Sequence, residues 1–77
     1  MPVSILLVQV SPGNENQARG LIDDLDDAEV TESGKGYLVA ATDSQTPKED
    51  FELIEKIRRL EHIVDVSLVM TANENQL

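Results

Sequence analysis

Hydrophobic positions along this chain change their spacing at definite points, and each change marks the boundary of an element. The change is sharpest between Phe51 and Met70, FELIEKIRRLEHIVDVSLVM. Phe51, Ile54, Ile57 and Leu60 recur at helical spacing, with Glu52, Glu55, Lys56, Arg58 and Arg59 on the opposite side. The period then shortens to two: Val64, Val66, Leu68 and Met70 alternate with Asp65, Ser67 and Val69, as in a half-buried strand. A helix with one apolar stripe that runs at once into a strand with one apolar face buries both only by folding back on itself.

The earlier segments are read in the same way. Val3 to Val10 is aliphatic on both alternating faces, which is typical of a strand in the middle of a sheet, and it ends at the turn Ser11-Pro12-Gly13. A first helix is expected from Asn14, capped in a capping-box-like pair with Gln17, with Ala18, Leu21, Ile22 and Leu25 as its buried stripe. Gly20 weakens that helix by about 1 kcal/mol relative to alanine and is expected to mark a close approach to the sheet. Ala28 to Ser33 is polar and suits an edge strand, Ser33 to Gly36 a hairpin turn, and Tyr37 to Thr42 the returning strand, apolar on both sides. Thr46 or Ser44 caps the second helix, with Pro47 at its first position and Glu49 and Asp50 in its first turn. Residues 1–71 thus form one domain and 72–77 a frayed polar tail.

The order βαββαβ with short connections and right-handed crossovers predicts an α+β fold. It is the ferredoxin-like plait: a four-stranded antiparallel sheet in the order 4-1-3-2, with two helices on one face. Two helices cover only one side of that sheet, while its two central strands are apolar on both. An uncovered apolar face results, and such a patch implies a partner. Turning Gln9, Asp65 and Ser67 outward makes the open face Ile5, Leu7 and Gln9 with Leu38, Ala40 and Thr42, continued by Asp65 and Ser67; the third strand gives a weaker signal, and its opposite parity stays open.

Composition narrows the partner. Fifteen acidic residues against six basic ones give a formal charge of −9 over 77 residues. That disfavours nucleic acid and anionic membrane surfaces and favours a cationic ligand. Asp23, Asp24, Asp26 and Asp27 crowd the C-terminal end of the first helix, where the helix dipole is itself negative. They read either as a solvated turn or as a patch for a basic ligand; no histidine stands beside them to complete a metal site. Cysteine is absent, excluding disulfides and thiolate metal sites. The apolar run at the N-terminus is too short for a membrane span and lacks a basic leader, so the expected location is the cytoplasm.

Catalytic chemistry finds no foothold, and no cofactor is expected. Gly34-Lys35-Gly36 lacks the context of a phosphate loop, the single histidine, His62, reads as a cap at a helix end, and Tyr37 reads as a packing residue.

Several stretches together resemble the NapD-type chaperones of periplasmic nitrate reductase: SILLVQV, the GKGYLVA hairpin, LIEKIRRLEHIVDVSLVM and the polar tail. The most specific residues are Ile54, Ile57, Arg58, Leu60, Ile63, Val66, Ser67, Leu68 and Val69. The family usually carries glycine and valine where this chain has His62 and Ile63, and often tyrosine in place of Met70. The resemblance implies a cytoplasmic binding protein rather than an enzyme. It would bind the twin-arginine signal peptide of a molybdoenzyme catalytic subunit, that of the nitrate reductase, and delay export until the molybdenum cofactor is inserted. A monomer is expected rather than a homo-oligomer. The VQVSPG and GKGY segments also suit an alternative, a small ligand-sensing, oligomerising domain like the C-terminal module of leucine-responsive regulators.

Overall fold

The two-sided aliphatic run near the N-terminus takes a central place in the sheet. In the computed structural model, which describes residues 2–73, the elements are β1 (Pro2–Val10), α1 (Glu15–Asp23), β2 (Ala28–Gly34), β3 (Tyr37–Asp43), α2 (Pro47–Arg58) and β4 (Ile63–Asn73). The four strands pair antiparallel in the order β2-β3-β1-β4, the expected plait. β4 continues through Ala72 and Asn73, which pair with Val3 and Pro2 rather than starting a tail; positions 74–77 lie outside the described residues.

Both helices cover one face. Leu6, Val8 and Val10 of β1 and Leu38 and Ala40 of β3 meet Ala18 and Ile22 of α1 and Ile57 of α2, with Val30 and Val66 closing the sides. Side chains of this size gain about 1.5–3 kcal/mol each on full burial, so most of the hydrophobic stabilisation lies between sheet and helices. Two details of the helices differ from expectation. In α2 the residues turned inward are Asp50, Leu53, Ile54 and Ile57, while Phe51 is 63% exposed. In α1, Gly20 faces open space, with nothing within 4 Å of where a Cβ would stand.

The helix ends also show how polar groups are used. Asn14 precedes α1, but its side chain makes no capping bond, so the box with Gln17 does not form. The Glu15 carboxylate instead accepts the Gly13 N–H (3.1 Å) and, across the fold, the Gly36 N–H (2.7 Å), joining the β1–α1 turn to the β2–β3 hairpin. Backbone N–H donors, its own, that of Gly36 and that of Gly13, hold its carboxyl below the ordinary glutamate range. At the other end of α1, Asp23 accepts the Val30 N–H at 3.0 Å and lies 3.7 Å from Arg19. An acid at the unfavourable end of a helix is thereby put to use tying α1 to β2. Thr46 caps α2, accepting the Glu49 N–H at 3.1 Å.

Buried under the start of α2 is a polar cluster. Asp50 is 5% exposed and accepts hydroxyl hydrogens from Ser4, Thr42 (2.6 Å) and Ser44 (2.9 Å). Ser4 also lies 3.0 Å from the Thr71 hydroxyl, and its N–H donates to Thr42. The knot therefore joins α2 to β1, β3 and β4.

Both sheet edges carry β-bulges. In β2 the extra residue is Thr31, between Val30 and Glu32; in β4 the pairing with β1 skips Val64 and Val69. Between α2 and β4, His62 takes a positive φ of 72° while its carbonyl accepts the Ser11 N–H at 3.0 Å. The left-handed region favours glycine, so histidine holds this conformation under strain.

Candidate functional site

The face away from the helices is built in rows across the strands. Registers place Glu32, Val39, Leu7 and Ser67 in one row and Glu29, Ala41, Ile5 and Met70 in the next. Toward the hairpin, the row is Gly34, Tyr37, Gln9 and Asp65. Ile5, Leu7, Val39 and Ala41 are only half-buried, and Met70 is 55% exposed. No element of the described residues lies over them.

Five of the eight residues expected on this face are there: Ile5, Leu7, Gln9, Asp65 and Ser67. Leu38, Ala40 and Thr42 are not. They lie on the helix side, 0%, 0% and 1% exposed, because Leu38 pairs with Val8, Ala40 with Leu6 and Thr42 with Ser4. Residues opposite one another in an antiparallel pair share a face, so burial of Leu6 and Val8 fixes the side of their partners. The open residues of β3 are Tyr37, Val39, Ala41 and Asp43. The difference has a physical root: both alternate sets of YLVAAT are apolar or small, so alternation alone does not choose between them. The Tyr37 ring lies across Gly34, where a side chain would collide with it, and remains 38% exposed.

Bulges account for the other residues that alternation misses. Without the extra Thr31, Glu32 would share the helix side with Val30; with it, Glu32 joins Glu29 on the open face. Likewise Val69 takes up one position in β4, so Met70 rather than Val69 stands opposite Ile5. The face is thus aliphatic along β3 and β1 and acidic along β2.

Its charges differ in their partners. Asp65 is held by Arg58 at 3.2 Å, and Arg58 also reaches Glu55 at 3.2 Å. Among the described residues, Glu29 and Glu32 take part in no ion pair. At the hairpin end a shallow groove of about 610 Å³ runs between Leu7, Gln9, Pro12, Lys35, Tyr37 and Val64. Among the described residues, no group of three or more His, Cys, Asp or Glu side chains is arranged to hold a metal ion, and no helix is long and apolar enough to cross a membrane.

Comparison with known proteins gives this arrangement its context. The family model described as NapD protein matches residues 1–75. The chain belongs to the NapD family. Among solved structures, this NapD-family chain is similar to the E. coli Tat proofreading chaperone NapD, with 25% identity and a TM-score of 0.85, covering 96% of this chain and 80% of that one. It also shares its fold with the hypothetical protein PHS023 of Pyrococcus horikoshii, at 23% identity and a TM-score of 0.75, over 95% and 90% of the two chains. No curated protein matches it.

Proposed function

We propose that this chain is a chaperone that binds the twin-arginine signal peptide of a molybdoenzyme catalytic subunit, that of periplasmic nitrate reductase, on its open sheet face. As a cytoplasmic monomer it holds the leader back from export until the molybdenum cofactor is in place, and it acts by binding alone. One observation carries the reading: an uncovered aliphatic surface on β1 and β3, flanked by carboxylates, in a chain of formal charge −9. A signal peptide combines a basic and an apolar region. Charge complementarity would guide its approach and orientation, and burial of the apolar part would hold it. Membership of the NapD family and the likeness to a Tat proofreading chaperone support the same reading.

Titration with a synthetic twin-arginine peptide tests it. Tyr37 is the single tyrosine, the chain has no tryptophan, and the ring stands on this face. Its emission should therefore change on binding of a peptide without aromatic fluorophores. Binding should weaken as salt rises, and again when Arg-Arg becomes Ala-Ala. Leu7→Asp, which puts a charge into the middle of the face, should abolish binding while leaving the helix-side core intact. Silence in both heat and emission at high micromolar protein would sink the reading.

A further inference from the structure

We infer that the peptide lies across the strands with its two arginines on Glu29 and Glu32 and its apolar segment running over β3 and β1 toward Met70; this rests on the function proposed above. Two rows of the sheet repeat the same order. Glu29 is followed by Ala41 and Ile5, and Glu32 by Val39 and Leu7, so each row passes from a carboxylate to aliphatic side chains. The repeat exists only because the bulge at Thr31 turns Glu32 to the side that Glu29 already faces.

The two carboxylates stand opposite β3 residues two apart, which spaces them by about 7 Å along the strand. That separation suits two neighbouring guanidinium groups, each with its own acceptor. From β2 to β4 the sheet is about 14 Å wide, the length of about ten helical residues. A basic pair followed by two to three apolar turns would span it.

Charge elsewhere on the face favours the same polarity. On the far edge Asp65 already has Arg58, and at the hairpin end the groove carries Lys35, so neither offers the arginines an unmatched acid. Glu29 and Glu32, without an ion pair among the described residues, do; Asp43, likewise without one, stands opposite Val3 beyond both rows. The exposed acids Glu49 and Glu52 of α2, on the helix side of the sheet, serve as the control.

The experiment is calorimetric titration of a synthetic Arg-Arg peptide with a following apolar segment, and of its Lys-Lys form, into the wild type, Glu29→Gln/Glu32→Gln and Glu49→Ala/Glu52→Ala. The glutamine pair should lower affinity for the Arg-Arg peptide about tenfold and erase the preference for Arg-Arg over Lys-Lys. The alanine pair should bind within about twofold of wild type, since screened charges on the helix side contribute little. Glu29→Lys/Glu32→Lys should recover binding to a peptide carrying Glu-Glu in place of Arg-Arg. The inference is overturned if the wild type binds and the glutamine pair keeps both affinity and Arg-Arg preference; the proposed function then stands with its arginine site elsewhere. A wild type that binds neither peptide overturns both.

Discussion

Replacing Asp50 by alanine should remove a large part of the stability of this domain without touching the open face. The side chain is buried at the start of α2 and receives three hydroxyl hydrogens, from Ser4, Thr42 and Ser44. Among the described residues no buried polar side-chain atom lacks a partner, so the truncation would create orphans where none exist. At about 1 kcal/mol for each hydroxyl left without its acceptor, the loss is about 3 kcal/mol. Against a total of about 4–12 kcal/mol for a domain of 77 residues, that is a quarter or more of the margin. Asp50→Asn keeps the volume and one acceptor oxygen, and should cost less, about 1–2 kcal/mol. Urea unfolding followed by far-ultraviolet circular dichroism reads both, as a lower midpoint at unchanged slope. A double-mutant cycle with Ser4→Ala should return a coupling of about 1 kcal/mol. If Asp50→Ala loses less than about 1 kcal/mol, the carboxylate is not the shared acceptor of the three hydroxyls, and the account of the knot is wrong. Signal-peptide binding should survive in the folded fraction of either variant, since Asp50 is on the helix side.

Three further perturbations are cheaper to make. His62→Gly should raise stability by about 0.5–1 kcal/mol, because it relieves a left-handed residue at the cost of a more flexible unfolded chain; a loss in urea midpoint would contradict the strain at φ 72°. Gly20→Ala should also stabilise, by about 0.5–1 kcal/mol, since the added methyl meets open space in a helix; destabilisation would mean that α1 lies closer to a neighbour than described. Glu15 has a pH signature. Its carboxyl is lowered in the folded state by its own backbone N–H and those of Gly36 and Gly13, so its contribution is present above the ordinary glutamate range and fades as pH falls through the lowered value. The gap in urea midpoint between wild type and Glu15→Gln should accordingly shrink on acidification, and a gap constant from neutral to strongly acid pH would refute the assignment.

Periodicity makes the element order, the sheet order and the central position of β1 and β3 legible, because long runs such as VSILLVQV admit few alternatives. It is weaker wherever one residue decides a face. The bulges at Thr31, Val64 and Val69 each shift the parity of the residues beyond them, and alternation cannot register an extra residue that looks like its neighbours. Glu32 and Met70 escape it for that reason. Leu38, Ala40 and Thr42 fall on the wrong side because β3 is apolar or small on both faces, and only its pairing with Leu6 and Val8 settles the choice. Asp50 reads as an ordinary first-turn acid, since the hydroxyls that bury it come from positions as far away as Ser4. The same helical spacing favours Phe51 as the inward residue, although a carboxylate with three donors takes that place and the ring is left in solvent.

The kinked margins of the sheet have a consequence for how the protein survives while displaying so much grease. Straight outer strands would offer neighbouring molecules a template for endless side-by-side addition, the route toward fibrils. Here Thr31 interrupts one margin, and Val64 and Val69 the other, so an incoming segment meets a break in register within a few residues. The flat of the sheet can therefore stay adhesive toward a visiting leader while its borders refuse to propagate.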